Sequence, residues 1–177
     1  LIYLDSERLD LAELVLTKAA AMDAKNPGAL NALALVALAR GDDQHAFELF
    51  DRATSLDPSF LAARFNKAAV LMDAGDFQRA LPELKAVVDA DPDDLAARLA
   101  LGVALRGMGR LDQAEAEYQR VLKAAPKNPD ALYNLLVLYM DFRHDEKGAR
   151  DYLARYLKAA SSRHPKHKEA KLRESEL

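Results

Sequence analysis

The sequence predicts an all-α repeat protein built from antiparallel helix pairs, and three observations carry that prediction. Glycine stands at Gly41, Gly75 and Gly109, proline at Pro58, Pro92 and Pro126, and alanine at Ala12, Ala46, Ala80 and Ala114, each series at an interval of 34 residues. Independent series that share one period mark a tandem structural unit. Alanine and leucine dominate an apolar fraction of 50%, while valine and isoleucine are scarce, which favours helix over strand.

The chemistry of each series gives the same unit. The glycines follow stretches of helical apolar periodicity, where a helix ends in a left-handed residue that glycine adopts at little cost. Asp42 and Asp76 then open the next helix as N-terminal caps. The prolines close the second helix, because proline lacks the N–H that a further turn needs. The recurring alanines lie in the second helix, where a small side chain lets two helices approach.

Taken in order, the first element is a truncated N-terminal repeat over residues 1–26. Counting back 34 from Ala37 reaches Tyr3, so residues 1–4 read as the last turn of a first helix and residues 9–24 as its partner. That register predicts at least one more helical segment upstream. Three regular repeats come next, at 27–60, 61–94 and 95–128. Pro82 falls inside the second helix of the middle one, where it is expected to bend the helix. A degenerate fourth repeat occupies 129–161. There Arg143 stands where glycine would, one extra residue shifts the alanine to Ala149 and its partner to Leu153, and no proline closes the unit. Residues 162–177 form a charged C-terminal tail.

The pattern resembles the tetratricopeptide repeat, whose signature is W-x2-L-G-x2-Y, then A-x3-F, then P. The matching units read Leu30-x2-Leu33-Ala34-x2-Ala37, Ala46-x3-Phe50, Pro58; then Arg64-x2-Lys67-Ala68-x2-Leu71, Ala80-x3-Leu84, Pro92; then Arg98-x2-Leu101-Gly102-x2-Leu105, Ala114-x3-Tyr118, Pro126. The fourth begins Leu132-x2-Leu135-Leu136-x2-Tyr139. The resemblance covers residues 1 to about 161 and implies a right-handed superhelical solenoid of antiparallel helix pairs, about nine helices in all. Arg64, Lys67 and Arg98 depart from it, standing where the family buries large apolar side chains. Their stems are expected to lie along the surface with the charge in water, leaving looser packing between the middle repeats.

The first helices carry a second apolar face, in rows such as Asn31-Phe65-Leu99-Tyr133. In tetratricopeptide arrays this face lines a concave groove that takes peptides or helices. The resemblance therefore implies a partner-binding groove of Leu35, Leu38, Phe65, Met72, Leu99, Val103, Tyr133, Val137 and Met140, with Asn66 and Asn134 beside it. Methionine and aromatic side chains suit an adaptable docking surface, and one buried aromatic anchor contributes roughly 1.5–3 kcal/mol. An amphipathic helix fits such a groove. The other reading of the same rows is additional core. The two asparagines offer donor and acceptor together, as a peptide backbone requires, or else sit on a helix surface. Some family members grip the terminal carboxylate of chaperones with Lys, Asn and Arg. The corresponding rows here carry Asn31, Leu35, Ala96 and Ala100, which cannot do so.

Other chemistry is sparse. The net charge is −3, which gives no pull toward nucleic acid or an acidic membrane surface. There is no cysteine, hence no disulfide, thiol catalysis or thiolate metal site. No apolar run reaches the ~18 residues of a membrane span, and the first residues do not form a signal peptide. His45 and His144 open second helices as polar surface residues. His164 and His167 have a spacing that can ligate a metal, but Pro165 breaks the helix that would align them. Arg163, Lys166, Lys168, Lys171 and Arg173 read as a solvated tail, or as a contact for an acidic partner or lipid headgroups, diluted by Glu169, Glu174 and Glu176. No nucleophile stands with a base and no phosphate loop succeeds a strand, so neither an enzyme nor a cofactor or metal is expected.

The expected function is a protein-protein interaction module, scaffold or assembly factor that binds a helix or an extended peptide. A self-assembling structural repeat, with a second copy as partner, and the regulatory part of a longer enzyme stay open beside it. The alanine-rich regularity suggests a bacterial source, and cytoplasmic and periplasmic settings stay equally open.

Overall fold

The computed structural model describes residues 2–23 and 25–177, with side chains described from Arg8 onward. Among the described residues every regular element is helical, and no helix is long and apolar enough to cross a membrane. The chain divides into two compact units, Leu1–Asp91 and Pro92–Leu177.

Unit 1 contains α1 (Ile2–Met22), α2 (Pro27–Ala39), α3 (Asp43–Leu56), α4 (Leu61–Asp73) and α5 (Phe77–Ala90), each packed on the next. Asn26 and Asp42 accept backbone N–H bonds from Ala29 and His45 and so open α2 and α3. Gly41 and Gly75 take φ of 80° and 76°. Asp42 and Asp76 then donate their N–H groups back to the Ala37 and Leu71 carbonyls, closing the helix ends. Leu30, Ala34, Ala37, Ala46, Leu49, Phe50, Ala53 and Ala63 form the core that the pairing of α2 with α3 creates.

The N-terminal expectation needs correction: α1 runs as one helix where the register placed a helix end and a new start. Glu7 holds the place that Gly41 takes one repeat later, and Asp42 has its counterpart in Arg8. Without a residue that turns left-handed cheaply, nothing ends the helix there. The side chains of Leu1 and Tyr3, and all of Ala24, lie outside the described residues. α1 is tied to α2 by Arg40, whose guanidinium meets Asp10 at 2.5 Å and Glu13 at 2.8 Å. α5 continues through Pro82 as a single helix.

Arg64, Lys67 and Arg98 are also corrected, since their charges do not turn to water. Arg64 bonds Glu83 at 2.5 Å, and Lys67 bonds Glu83 at 2.9 Å and Asp51 at 2.8 Å. In unit 2 Arg98 repeats the device with Glu117 at 2.8 Å, their side chains 12% and 11% exposed. Each arginine also donates to the proline carbonyl that ended the preceding repeat, Pro58 for Arg64 and Pro92 for Arg98. Glu83 and Glu117 are 34 residues apart, so an ion pair replaces the family's large apolar residue in both repeats. A guanidinium suits this, because its several N–H groups serve a carboxylate and a backbone carbonyl at once. Burial works against the Lys67 ammonium, but its bonds to Asp51 and Glu83 more than offset that and hold it above its ordinary value.

Unit 2 contains α6 (Leu95–Gly107), α7 (Leu111–Ala124), α8 (Pro129–Val137), α9 (Glu146–Ala159) and α10 (His167–Arg173). Asp94, Asn128 and Asp145 cap α6, α8 and α9. A β-carbon at Gly102 would lie 2.4 Å from the ring of Tyr118, so the glycine lets α6 and α7 meet through that ring. The extra residue of the fourth repeat is absorbed as a π-helical turn, Leu138–Phe142, which extends α8. As a result the left-handed residue is His144, with φ 52°, and not Arg143. Arg143 stays right-handed and pairs with Asp112 at 2.6 Å and Glu115 at 2.7 Å.

The C-terminal segment differs from a solvated tail. α10 forms a short helix whose Ala170 is fully buried, and the segment before it folds against α8 and α9. The charges hid this docking from a reading by composition. They are spaced so that one side of the short helix is contact and the other is solvent.

Candidate protein-binding faces

The first-helix faces are described for each unit by itself. In unit 1 they belong to α2 and α4. Leu35 stands 46% exposed. Leu38 packs partly buried against the core, and Phe65 and Met72 are half-buried. Asn66 donates from Nδ2 to the Asn31 side-chain oxygen at 3.0 Å, linking the two helices across this face. The Asn66 carbonyl oxygen and the second N–H of its amide are not used in that bond, so the amide keeps capacity for another backbone.

In unit 2 the corresponding face belongs to α6 and α8. Leu99 and Val103 are half-buried. Arg106, in the row of Met72 and Met140, lies with its guanidinium 5.6 Å from the Phe142 ring centre. Asn134 donates to the Asp130 carbonyl of its own helix at 3.0 Å. Tyr133 and Val137 are only 6% and 9% exposed, and Met140 is half-buried.

The cover over Tyr133 is the C-terminal segment. His164 lies between Tyr156, whose hydroxyl is 2.8 Å from Nδ1, and Asp130, 3.3 Å from Nε2. Both ring nitrogens of His164 are thus engaged. The Lys166 ammonium sits 5.5 Å from the Tyr133 ring centre, and Tyr156 meets the same ring edge-on at 5.6 Å. Arg173 bonds Asp141 at 2.7 Å and reaches the Met140 sulfur at 3.5 Å. The Tyr133 hydroxyl is buried facing Glu169 without a hydrogen bond of ordinary geometry. Burial first, and the Glu169 carboxylate second, push that hydroxyl up to about 12.

Sequence reasoning missed Glu83, Glu117, Glu169, Asp141 and the seating role of His164 and Arg173. A signal existed for the first two, in their 34-residue spacing, and for α10 in the helical spacing of Lys166, Glu169, Ala170 and Arg173. A second exposed apolar face lies on α1, where Leu11, Leu14, Val15 and Met22 are 63%, 67%, 58% and 82% exposed. Among the described residues no three His, Asp or Glu side chains gather as a metal site.

Comparison with known proteins agrees with this architecture. Two tetratricopeptide repeat models match, at residues 1–59 and 71–137, between them well over half of the chain. No curated protein matches. Among solved structures, MamA 41-end from Desulfovibrio magneticus RS-1 is 26% identical, with a TM-score of 0.81 over 88% of each chain. YrrB, described as a TPR protein with an unusual peptide-binding site, is 23% identical, with a TM-score of 0.82 over 99% of this chain and 88% of its own. PilF of Pseudomonas aeruginosa is 19% identical, with a TM-score of 0.78 over 98% of this chain and 78% of its own. These neighbours are solenoids with the same all-helical fold. Proteins of this kind are typically non-enzymatic interaction modules, and the fold supports a general scaffold role. The period, the helix pairs and the matched models together place the chain in the tetratricopeptide repeat family.

Proposed function

We propose that this chain is a non-enzymatic scaffold or assembly factor whose first-helix face in unit 1 holds a helix or an extended peptide of another protein. The observation that carries the reading is the combination on α2 and α4. Leu35 is 46% exposed, Phe65 and Met72 are half-buried beside it, and the Asn31–Asn66 pair stands in the same face. Apolar side chains give a partner its contact area, and an amide with spare donor and acceptor fixes its backbone. In unit 2 the same reading assigns Leu99, Val103 and Asn134 to a contact surface, while Tyr133 and Met140, which Lys166 and Arg173 of the C-terminal segment touch, serve a partner only if that segment is moved.

The test is capture of partners from the source cell's lysate on the unaltered chain and on Phe65→Glu. Circular dichroism checks that both remain helical. A protein held by the unaltered chain and released by Phe65→Glu is the expected result. Equal capture by both moves the binding surface off this face and overturns the reading. Tyr133→Glu is no substitute, since a charge there lies under α10 and disturbs packing as well as binding.

The exposed row on α1 favours a second reading, self-assembly through the N-terminal helix. A mass that rises with concentration in light scattering, and stays monomeric in Leu14→Glu, would establish it.

A further inference from the structure

The first-helix face of unit 2 carries a cation, Arg106, at the register where the neighbouring repeats have Met72 and Met140. Arg64, Arg98, Arg106, Arg143 and Arg173 are the partly buried arginines among the described residues. All but Arg106 meet a carboxylate: Glu83 for Arg64, Glu117 for Arg98, Asp112 and Glu115 for Arg143, and Asp141 for Arg173. Arg106 Nη1 is buried without a hydrogen-bond acceptor. The Tyr118 hydroxyl feels the Arg106 charge, yet it too is buried without a hydrogen bond.

The local structure does not account for this cation. Its place in the last turn of α6 suits a positive charge through the helix dipole, but supplies no acceptor for a buried N–H. The Phe142 ring, 5.6 Å from the guanidinium, attracts the charge and again accepts no ordinary hydrogen bond. A buried donor without a partner destabilises the fold, and a methionine in its place would leave none. Arg106 is therefore held against stability, as groups that serve binding are. What it lacks is a carboxylate, which every other partly buried arginine has. Its surroundings are those of a contact surface. Leu99 and Val103 lie half-buried on the same side of α6, and Phe142 is 44% exposed.

We propose that Arg106 is the specificity-determining residue of the unit 2 face, and that it takes an Asp or Glu carboxylate from a segment of another protein whose apolar side chains rest on Leu99 and Val103. This rests on the reading that the first-helix faces bind partners, and it names the charge that unit 2 selects. A guanidinium that already lies against a ring needs little further ordering to receive a carboxylate. Leu99 and Arg106 are about 10 Å apart along the helix. The partner's acid must stand about that far from its apolar anchor, roughly three residues in an extended segment.

The probe is a displayed library of random short peptides selected on the full chain, with the best binder labelled and titrated by anisotropy. At a net charge of −3 the chain does not attract acidic peptides in general, so a shared acid reports a local cation. The selected peptides should share an Asp or Glu near an apolar residue. Affinity should fall at least tenfold on Arg106→Met, and as far when the peptide's acid is replaced by its amide, with no further loss when the two changes are combined. Arg106→Met should also melt about 2–4 °C above the unaltered chain. Binders without a shared acid, equal affinity for Arg106→Met, or a library that yields no binder overturns the proposal. So does a lower melting temperature, since the arginine would then serve the fold through its stack on Phe142. A binder lost on Phe65→Glu and kept on Arg106→Met overturns this proposal alone and leaves the reading of unit 1 standing.

Discussion

On the first-helix face of unit 1 Leu35 stands 46% exposed, whereas on that of unit 2 Tyr133 is 6% exposed, although both belong to rows of the same kind. The rows are mainly apolar in both units, with Asn31 in the first and Arg106 in the second, so the difference does not lie in their apolar character. It comes from the segment beyond the last helix pair. Residues 162–177 supply α10 and the His164 contact, and these fold back on α8. An apolar row therefore identifies a surface that wants cover, and only the neighbouring segment decides whether the chain provides it.

The two units also differ in how they hold a buried arginine, and the largest expected effect sharpens that contrast. In unit 2 Glu117 is the carboxylate that Arg98 meets, with Arg120 sharing it. Glu117→Ala removes the carboxylate from the Arg98 guanidinium, whose side chain is 12% exposed, and keeps its bond to the Pro92 carbonyl. Breaking a buried pair from one side costs about 3–5 kcal/mol. Glu83→Ala in unit 1 should cost less, because Lys67 keeps Asp51 and the Arg64 side chain is 21% exposed. Urea unfolding of both variants tests the order. Equal losses would mean that the pairs are interchangeable.

Alkaline pH should separate the units next. Five of the six tyrosines lie in unit 2, and unit 1 has Tyr3 alone. Burial pushes the Tyr118 hydroxyl up to about 12, opposed by nearby Arg106, and burial with Glu169 does the same at Tyr133. Tyr139 and Tyr156 are raised too, the first mainly by its bond to Glu115 and the second by burial. The unfolded chain loses these protons near pH 10, before the folded one does, so stability is full below pH 10 and falls as pH rises toward about 12. Tyr118 and Tyr133 contribute about 2–3 kcal/mol each to that fall. Hydrogen exchange across this range should show α6–α9 opening before α2–α5, and Tyr118→Phe should narrow the gap. Simultaneous opening would show that these hydroxyls do not govern the alkaline response.

Much of this architecture was legible because the 34-residue period fixes which residues face one another. The glycine turns at 41, 75 and 109, the aspartate caps and the alanine contacts follow from it directly. What stayed hidden depended on partners outside the motif. Arg64 and Arg98 look misplaced until Glu83 and Glu117 are brought beside them, one helix on. α10 looks like a charged tail until its spacing is set against Tyr133 and Asp141. The N-terminal turn failed because the register was extended to Glu7, where the residue that makes the turn is absent. The candidate binding rows could be named from the sequence, but not their exposure, which the C-terminal segment controls.

The smallest effect concerns the irregular repeat that separates unit 2 from the regular repeats of unit 1. Gly41 and Gly75 adopt positive φ at little cost, while His144 does so at φ 52° with a β-carbon. A non-glycine residue there costs roughly 1–2 kcal/mol, and glycine returns part of that through the greater freedom of the unfolded chain. His144→Gly should therefore raise stability by about 0.5–1 kcal/mol, seen as a higher melting temperature. A glycine there gives the fourth repeat the turn that Gly109 already gives the third, while leaving the π-helical turn and α10 in place. If the melting temperature falls instead, the His144 side chain makes a contribution that outweighs its backbone strain, and the fourth repeat is then held by its own turn as well as by its packing.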